Sequence, residues 1–356
     1  MTRLKVAVVG CGHLGTIHAR LLAGRDDVEL VAVVDPSPEA RARVAEANGC
    51  AALPEPGDLV GKADVAVVAA PTGLHSRVSI PLLEAGLDLL IEKPIAASVE
   101  DARAIVTTAR RHGRVVAVGH VERFNPAWKL AVEKVGRPVA IESARLAPFT
   151  FRSMDVGVVH DLMIHDIDLV LSLEPGRLEH LESHGLSATG GHEDAVRARL
   201  VFSSGLVADL TASRISPTLR RAVSIWSADG IVSVDFNAKT VEVITPSADI
   251  RAGRFVAADV PPGERAALKD AFFTQVLPRE TLPVPDANAI ACEHDDFLDA
   301  IRTGRAPLVP GSAGAAALEI ANRVIDTLVR TQFGGSAPSV PLTPRSTVFP
   351  PRRKTA

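Results

Sequence analysis

The chain has 356 residues, longer than most single domains, so we expect two domains that each bury a hydrophobic core. A formal net charge of −3 and a pI near 6.4 argue against partners such as nucleic acid or an anionic membrane. No apolar run approaches a membrane span, and the one near the start is too short for a signal peptide. The cysteines Cys11, Cys50 and Cys292 are odd in number and far apart, so we predict no disulfide, no metal site and a soluble protein of the reducing cytoplasm.

The beginning of the chain has the pattern of a dinucleotide-binding unit. An apolar run, Leu4 to Val9, leads into a G-x-G-x-x-G motif, and a helical stretch follows it and ends at Gly24. The three glycines suit a tight turn, the close approach of a pyrophosphate, and the packing of helix on strand. From this motif we predict cofactor contacts by Gly10, Gly12, His13, Leu14 and Gly15.

A second apolar run ends at Asp35, 20 residues after Gly15, where a carboxylate can accept hydrogen bonds from an adenosine ribose. The alternative is that Asp35 caps the next helix. Because Asp35 would repel a 2′-phosphate, the sequence favours NAD over NADP, although Arg41 and Arg43 lie close in the chain and argue the other way.

Strands and helices continue to alternate up to about residue 120, which predicts a Rossmann-type, doubly wound parallel sheet. In such a sheet the cofactor crevice lies at the carboxyl ends of the strands. One apolar run ends at Pro71, Thr72 and His75, and the next ends at Glu92, Lys93 and Pro94. We therefore add Pro71, Thr72, His75, Glu92 and Lys93 to the predicted cofactor site.

After residue 120 the pattern changes to alternation with period two, for example along 196–202, and to an Asp229-Gly230 hairpin signal. These features predict a second α+β domain over 121–332 with a largely antiparallel open sheet. Two late helices are expected at 289–303 and 313–328. Residues 333–356 hold five prolines and four basic residues without an acid, and we expect a flexible or surface-draped tail.

The stretch 158–171 has the length and apolar content of a helix but carries five ionisable side chains. At about 100° per residue, Asp161, His165 and Asp168 share one face, whereas His160 and Asp166 lie off it and are expected at a cap or rim. Two interpretations stay open on this stretch alone. His165 is either a core histidine pinned by Asp161 or part of the wall of a site.

Glu92-Lys93-Pro94 after a Rossmann strand, together with Asp161-x-x-x-His165 in the second domain, resembles the glucose-fructose oxidoreductase, inositol dehydrogenase and MocA (Gfo/Idh/MocA) family. The resemblance covers the chain up to about residue 330. It implies an NAD-dependent dehydrogenase in which Lys93, Asp161 and His165 surround the carbon that exchanges hydride. It also implies a homodimer or homotetramer that packs through the second-domain sheet. The family usually has Thr-Pro-Asn before the counterpart of His75, but this chain has Ala70-Pro71-Thr72.

These residue types suit the oxidation of a secondary alcohol. A neutral imidazole such as that of His165 can accept the hydroxyl proton near pH 7, and the Lys93 ammonium can bond the alcohol oxygen. Asp161, one turn before His165, would orient the imidazole. Arg123 and Asn125, in contrast, are interpreted as part of a structural turn that joins the domains.

Within the family, residues 119–127 and 155–168 resemble enzymes that oxidise the 3-hydroxyl of UDP-N-acetylglucosamine on the way to a 3-amino sugar of lipid A. A diphosphate substrate calls for cations, for which Arg145 and Arg152 are candidates. The alternatives are a dehydrogenase of a free sugar or a polyol such as an inositol, and a non-enzymatic NAD-binding sensor. A metal site of His160, Asp161 and His165 is disfavoured because His160 points about 140° away from His165 on a helix.

Overall fold

A six-stranded parallel sheet forms the first part of the protein in the computed structural model, which describes residues 3–151 and 156–332. Its strand order is β3-β2-β1-β4-β5-β6, as predicted for a doubly wound fold. The strands are β1 (Leu4–Val9), β2 (Val28–Val34), β3 (Ala51–Leu53), β4 (Val65–Val68), β5 (Asp88–Glu92) and β6 (Val116–Gly119). The helices are α1 (His13–Ala23), α2 (Pro38–Asn48), α3 (His75–Glu84) and α4 (Val99–His112).

The strands of this first sheet other than β3 are mainly apolar because both faces are covered, whereas β3 is largely exposed. Along β1, Val6 and Val8 point into one hydrophobic core, whereas Ala7 and Val9 point into another. The carboxyl ends of β1, β4, β5 and β6 therefore lie along one edge, where each strand passes into a loop that carries predicted site residues.

A nine-stranded sheet forms the second part, with the order β14-β13-β12-β11-β7-β10-β9-β8-β15. It is largely antiparallel as predicted, but β10 runs parallel to β7 and β15 runs parallel to β8. The strands are β7 (Pro138–Leu146), β8 (Leu178–Ser187), β9 (Ala195–Phe202), β10 (Val207–Ser213), β11 (Arg220–Ser227), β12 (Gly230–Asp235), β13 (Thr240–Ile244), β14 (Arg279–Leu282) and β15 (Leu328–Gln332). The Asp229-Gly230 turn joins β11 and β12 as an antiparallel pair, which confirms that hairpin.

Six further helices accompany this sheet: α5 (Pro126–Val132), α6 (Ile164–Leu171), α7 (Ala248–Arg251), α8 (Arg265–Asp270), α9 (Ala289–Thr303) and α10 (Gly311–Asp326). The bounds of α9 are those predicted. The helix predicted from Trp128 begins earlier, because the Asn125 side chain accepts the Ala127 N–H and caps α5 at Pro126.

Helix α9 packs against the first sheet, and α10 packs against both sheets. Phe297 and Leu298 of α9 lie in a core of the first sheet. On α10, Leu318 belongs to the other core of the first sheet, whereas Ala321 belongs to the core of the second. Helix α10 thus fixes α6 relative to β6, which the sequence did not indicate. The division of the chain at residue 120 stays a prediction.

Among the described residues, no helix is both long and apolar enough to cross a membrane. The predicted tail, 333–356, lies outside the described part of the chain, and so does Arg152, one of the two candidate ligands for a diphosphate.

Candidate active site

The glycine loop between β1 and α1 is shaped by close backbone contacts. Gly10 has a φ of +100°, and a Cβ built there would lie 2.5 Å from the carbonyl oxygen of Ala69. A Cβ on Gly15 would lie 1.8 Å from the carbonyl oxygen of Gly10, so the helix can approach the loop only with glycine. Around Gly12, however, no atom lies within 4 Å of a built Cβ. Gly12 therefore leaves open space where the motif places a pyrophosphate.

Asp35 follows β2 and joins the glycine loop to the next helix. Its carboxylate accepts the N–H of Cys11 at 2.8 Å and the N–H of Ser37 at 2.9 Å. Ser37 caps α2, so the alternative that Asp35 is the cap is wrong. The Arg41 guanidinium donates to the backbone carbonyls of Asp35 and Pro36, which ties this cation to the chain.

A cavity of about 520 Å³ lies at the carboxyl ends of β1, β2 and β4 and is mostly apolar. Its walls include Gly10, Asp35 and Pro71. His13 and Leu14 are exposed at the start of α1, and Thr72 is half-buried beside Pro71. Thus the open space at Gly12, the Asp35 carboxylate and an apolar cavity fit the adenosine and pyrophosphate of NAD.

His75 lies behind this cavity. It is 1% exposed, its Nε2 is 2.8 Å from the Ala70 carbonyl oxygen, and its Nδ1 is 2.9 Å from the Pro94 carbonyl oxygen. Burial lowers the pKa of His75 from its ordinary 6.5. Both ring nitrogens thus connect the end of β4 to the loop after Lys93, and neither is placed to bind the cofactor as predicted.

Glu92 also supports the Lys93 loop. One oxygen of its carboxylate accepts the Lys93 N–H at 3.1 Å, and the other lies 2.9 Å from Nε2 of the buried His18. Nδ1 of His18 lies 2.7 Å from Nε2 of His294 on α9. Glu92 therefore anchors the loop to α1 and α9.

Lys93 meets the segment 158–171 across the domain junction. That segment is not a regular α-helix, because Val159–Met163 is a π-helical turn before α6. Such turns are frequent at functional sites. Nζ of Lys93 donates to the backbone oxygen of Asp161 at 2.6 Å and lies 3.4 Å from its carboxylate. Lys93 and Asp161 are thus brought together as predicted.

The imidazole of His165 lies beside this pair. Its Nδ1 is buried and has no hydrogen-bond partner among the described residues, and Asp161 does not bond to it. The expectation that Asp161 pins or orients His165 is therefore wrong, because the Asp161 side chain faces Lys93. Burial first, and then the charges of Lys93 and Arg145, lower the pKa of His165 well below 6.5. The ring is neutral near pH 7 and is available as a proton acceptor.

Asp166 and Arg145 form a buried ion pair, which overturns two predictions. Asp166 is 2% exposed, not a cap or rim residue, and it accepts from Nη2 of Arg145 at 2.9 Å. Nη1 of Arg145 donates to Glu122 at 2.9 Å. Since Arg145 is itself 4% exposed and paired twice, it is not placed to bind a diphosphate. It fixes α6 to β7 and to the turn after β6.

Two residues of that turn contact α6, which the sequence did not predict. His120 directly follows β6, and its ring centroid lies 6.3 Å from that of His165 at a right angle. Arg123 lies 3.6 Å from Asp168 of α6. The carboxyl end of β6 was the available signal, since the same rule had identified Lys93 after β5. His160 faces α10 and contacts Asn322 at 2.7 Å, outside the chemistry as expected.

Comparison with known proteins identifies the family. The sequence profile of an oxidoreductase family with an NAD-binding Rossmann fold, Gfo/Idh/MocA, matches residues 4–120, and the profile of its C-terminal domain matches 130–233. A UDP-N-acetylglucosamine 3-dehydrogenase of Acidithiobacillus ferrooxidans is 33% identical over 325 residues, 90% of this chain and 97% of that protein. The chain belongs to the Gfo/Idh/MocA family. It is an NAD-dependent dehydrogenase that acts on CH–OH groups.

A solved structure supports this assignment to the Gfo/Idh/MocA family, and a further relative acts on a different alcohol. The solved structure of the Acidithiobacillus ferrooxidans enzyme has a TM-score of 0.80 and 31% identity, and the match covers 92% of this chain and 98% of that one. The scyllo-inositol 2-dehydrogenase of Bacillus subtilis is 27% identical over 239 residues, 60% of this chain and 68% of that protein.

Proposed function

We propose that the enzyme oxidises the 3-hydroxyl of UDP-N-acetylglucosamine to a ketone, a product suited to transamination toward a 3-amino sugar such as that of lipid A. The similarity to a UDP-N-acetylglucosamine 3-dehydrogenase over nearly the full length of both chains carries this proposal. The position of Lys93 after β5, where it contacts Asp161 and lies beside His165, supports it.

Each side chain has a part in this oxidation. A bound nicotinamide would supply the acceptor for the hydride of the alcohol carbon. The Lys93 ammonium donates to the alcohol oxygen and stabilises the negative charge that develops on it, while Asp161 holds Nζ in place. The neutral His165 accepts the hydroxyl proton at Nε2, since its Nδ1 is buried.

Arg221 is suited to bind the diphosphate in place of Arg145. Arg221 of β11 lies directly opposite Arg145 of β7, so the two side chains share the face of the sheet that carries α6. Glu122 and Asp166 neutralise Arg145, whereas Arg221 is exposed and has no ion pair within the described residues. Its charge reaches the site, because it contributes to the lowered pKa of His165. A free cation here favours a nucleotide sugar over a neutral polyol.

Turnover of purified enzyme tests the substrate. NADH formation is measured with UDP-N-acetylglucosamine, its 4-epimer, free N-acetylglucosamine and myo-inositol, and a coupled transaminase that acts on the ketone identifies the position oxidised. We expect turnover with the UDP-hexosamine and little with the unphosphorylated compounds. Turnover of the inositol without any UDP-hexosamine would reject the nucleotide-sugar proposal in favour of a polyol dehydrogenase.

We further propose a homodimer or homotetramer of the cytoplasm. The outer face of the second sheet carries a 50% exposed Trp226, which lines a cavity of about 420 Å³ together with Ala140 of β7. A second copy would cover this exposed tryptophan. The three cysteines are unpaired, in keeping with a reducing compartment. Light scattering of the protein and of Trp226→Glu tests the assembly, and a monomeric parent protein would reject it.

A further inference from the structure

Helix α6 and the 3₁₀ turn Val121–Phe124 bring ionisable side chains together in pairs. At one end the rings of His165 and His120 meet at 6.3 Å, and at the other Asp168 lies 3.6 Å from Arg123. His165 and Asp168 are three residues apart on one helical face. Within the turn, the Arg123 N–H donates to the His120 carbonyl at 3.0 Å. The four side chains therefore form two linked pairs, here called the row. The pair of His165 and His120 lies at the active site, and the pair of Asp168 and Arg123 forms the far end.

Several polar atoms in this row are buried without a partner. Among the described residues, these are Nδ1 of His165, both ring nitrogens of His120, and Oδ2 of Asp168. His120 and Asp168 are each 1% exposed. Buried polar groups are nearly always hydrogen-bonded to protein or to ordered water. Unused donors and acceptors of this kind are what internal water molecules bind.

The far end of the row opens to solvent. Arg123 and Asp168 line a cavity of about 390 Å³ together with Glu174, which is exposed, and with Ala313 and Ala316 of α10. Neither Lys93 nor His165 lines this cavity. Asp168 is thus the member of the row that borders a cavity open to solvent.

In the proposed oxidation, the hydroxyl proton of the alcohol is left on His165. We propose that His120 and Asp168 carry this proton from His165 to the surface cavity, with ordered water between the side chains. The inference rests on the proposed oxidation of an alcohol and adds the route by which its proton leaves.

The transfer balances as a relay. As Nε2 of His165 takes the hydroxyl proton, Nδ1 passes its own proton to water and His120. His120 accepts at one ring nitrogen as it releases from the other, and Asp168 accepts and then releases a proton into the cavity. One proton reaches solvent, no side chain keeps an added charge, and the imidazoles regain their first tautomers by exchange with water after the ketone leaves.

The pKa values of the side chains in the row suit their roles in the relay. Burial raises the pKa of Asp168 to about 7, and Arg123 is the cation that opposes this shift. Burial, Lys93 and Arg123 lower the pKa of His120 to about 3, so it passes a proton on without storing one. The pKa of His165 is lowered first by burial and then by the charges of Lys93, Arg145, His120 and Arg221. On α10, the residues that face Asp168 across the cavity are the uncharged Ala313 and Ala316.

The first test needs neither cofactor nor substrate. Infrared spectra of the full-length protein and of Asp168→Asn are recorded across pH 7. We expect the wild-type spectrum to contain the carbonyl stretch of a protonated carboxyl group on the acid side, lost on the alkaline side and missing in the variant. If the two proteins give the same band at every pH, Asp168 binds no proton in this range and the proposal is overturned.

The second test follows both products of one turnover by stopped flow, NADH by absorbance and the proton with a pH-indicator dye. In the wild type the two signals should rise together. In Asp168→Asn and His120→Phe, NADH should still form in the first turnover, while the proton should appear about 100-fold later and steady-state turnover should fall.

Glu174→Gln, in the same cavity, is the control and should release its proton in step with NADH. Simultaneous signals in both relay variants would overturn the proposal. Nuclear magnetic resonance spectra of each variant check that it is folded. A wild-type protein that oxidises none of the sugars offered contradicts the proposed function, and the infrared titration then still decides on Asp168.

Discussion

Lys93 and Asp161 are joined twice, by a hydrogen bond of 2.6 Å from Nζ to the backbone oxygen and by a contact of 3.4 Å to the carboxylate. The lysine lies in the loop after β5 and the aspartate in the π-helical turn before α6, so this contact spans the two parts of the protein. Because the bond to a backbone oxygen fixes Nζ, the ammonium is held in place before any substrate arrives.

Replacement of Lys93 by methionine tests this part of the site. The change keeps a long side chain but removes the donor to the alcohol oxygen, so we expect kcat/KM to fall by about 100-fold or more. NAD affinity, measured by fluorescence titration, should change little. Lys62→Met, at an exposed lysine, is the control. Equal activity in the two variants would remove Lys93 from the chemistry.

A substitution in the glycine loop can impair cofactor binding without preventing folding. A methyl group at Gly12 meets no atom within 4 Å, so Gly12→Ala should fold with a loss of at most about 1 kcal/mol in capping free energy. It should nevertheless lose NAD binding, because the methyl group fills the space for the pyrophosphate. Calorimetric titration with NAD measures this. Gly263→Ala, in a loop with equally open surroundings, should bind normally.

The sequence predicted the features that depend on nearby residues. Five strands of the first sheet are buried apolar runs followed closely by glycine, proline or an acid, whereas the exposed β3 was not predicted. Asn288 and Gly304 mark both ends of α9. The second sheet was harder to predict from the sequence. The burial of β8 does not alternate regularly, and its partner β15 is about 140 residues away in the chain, so neither strand was predicted.

The errors in the site arise from contacts between distant segments. Neither the double pairing of Arg145 nor the position of Asp166 is visible without the packing of β7 against α6. The predicted directions of the side chains assumed a regular α-helix, and the π-helical turn changes the direction of Asp161. His75 was predicted to contact the cofactor, but its contacts with Ala70 and Pro94 give it a supporting position.

Arg145 should matter more for stability than for substrate binding. Arg145→Met leaves Glu122 and Asp166 buried without their cation, which should lower the free energy of unfolding by about 3–5 kcal/mol. Urea unfolding measures the loss. In Arg199→Met, which breaks an exposed pair with Asp209, we expect a much smaller change. Equal losses would mean that the buried triad is not a structural element.

Stability should also depend on pH through the buried His294. Burial lowers the pKa of His294 from 6.5 to about 3, so the folded protein keeps this ring neutral while the unfolded chain binds a proton. The stabilising contribution is complete above pH 6.5 and falls by about 1.4 kcal/mol per pH unit as the pH drops toward 3. In His294→Phe, the free energy of unfolding, measured with urea at several pH values, should fall less steeply as the pH drops. Identical slopes in the two proteins would contradict the assignment.

Arg221 and its neighbour Arg220 provide the sharpest test of a diphosphate site. Successive residues of a strand point to opposite faces, so Arg221 lies on the side of α6 while Arg220, equally exposed, points away from it. Loss of a charge-assisted bond to phosphate should raise KM for UDP-N-acetylglucosamine about 10-fold to 100-fold in Arg221→Met, with kcat little changed. Arg220→Met should behave as the wild type.

The binding of UDP alone gives a second measurement of the same site. Its affinity, determined by calorimetry, should fall in Arg221→Met by the same factor as KM rises, since the lost contact belongs to the diphosphate and not to the sugar. Kinetics with an unphosphorylated alcohol should not respond to the substitution. If Arg220→Met and Arg221→Met weaken UDP equally, the effect is one of overall charge, and the diphosphate does not lie against β11 on the side of α6.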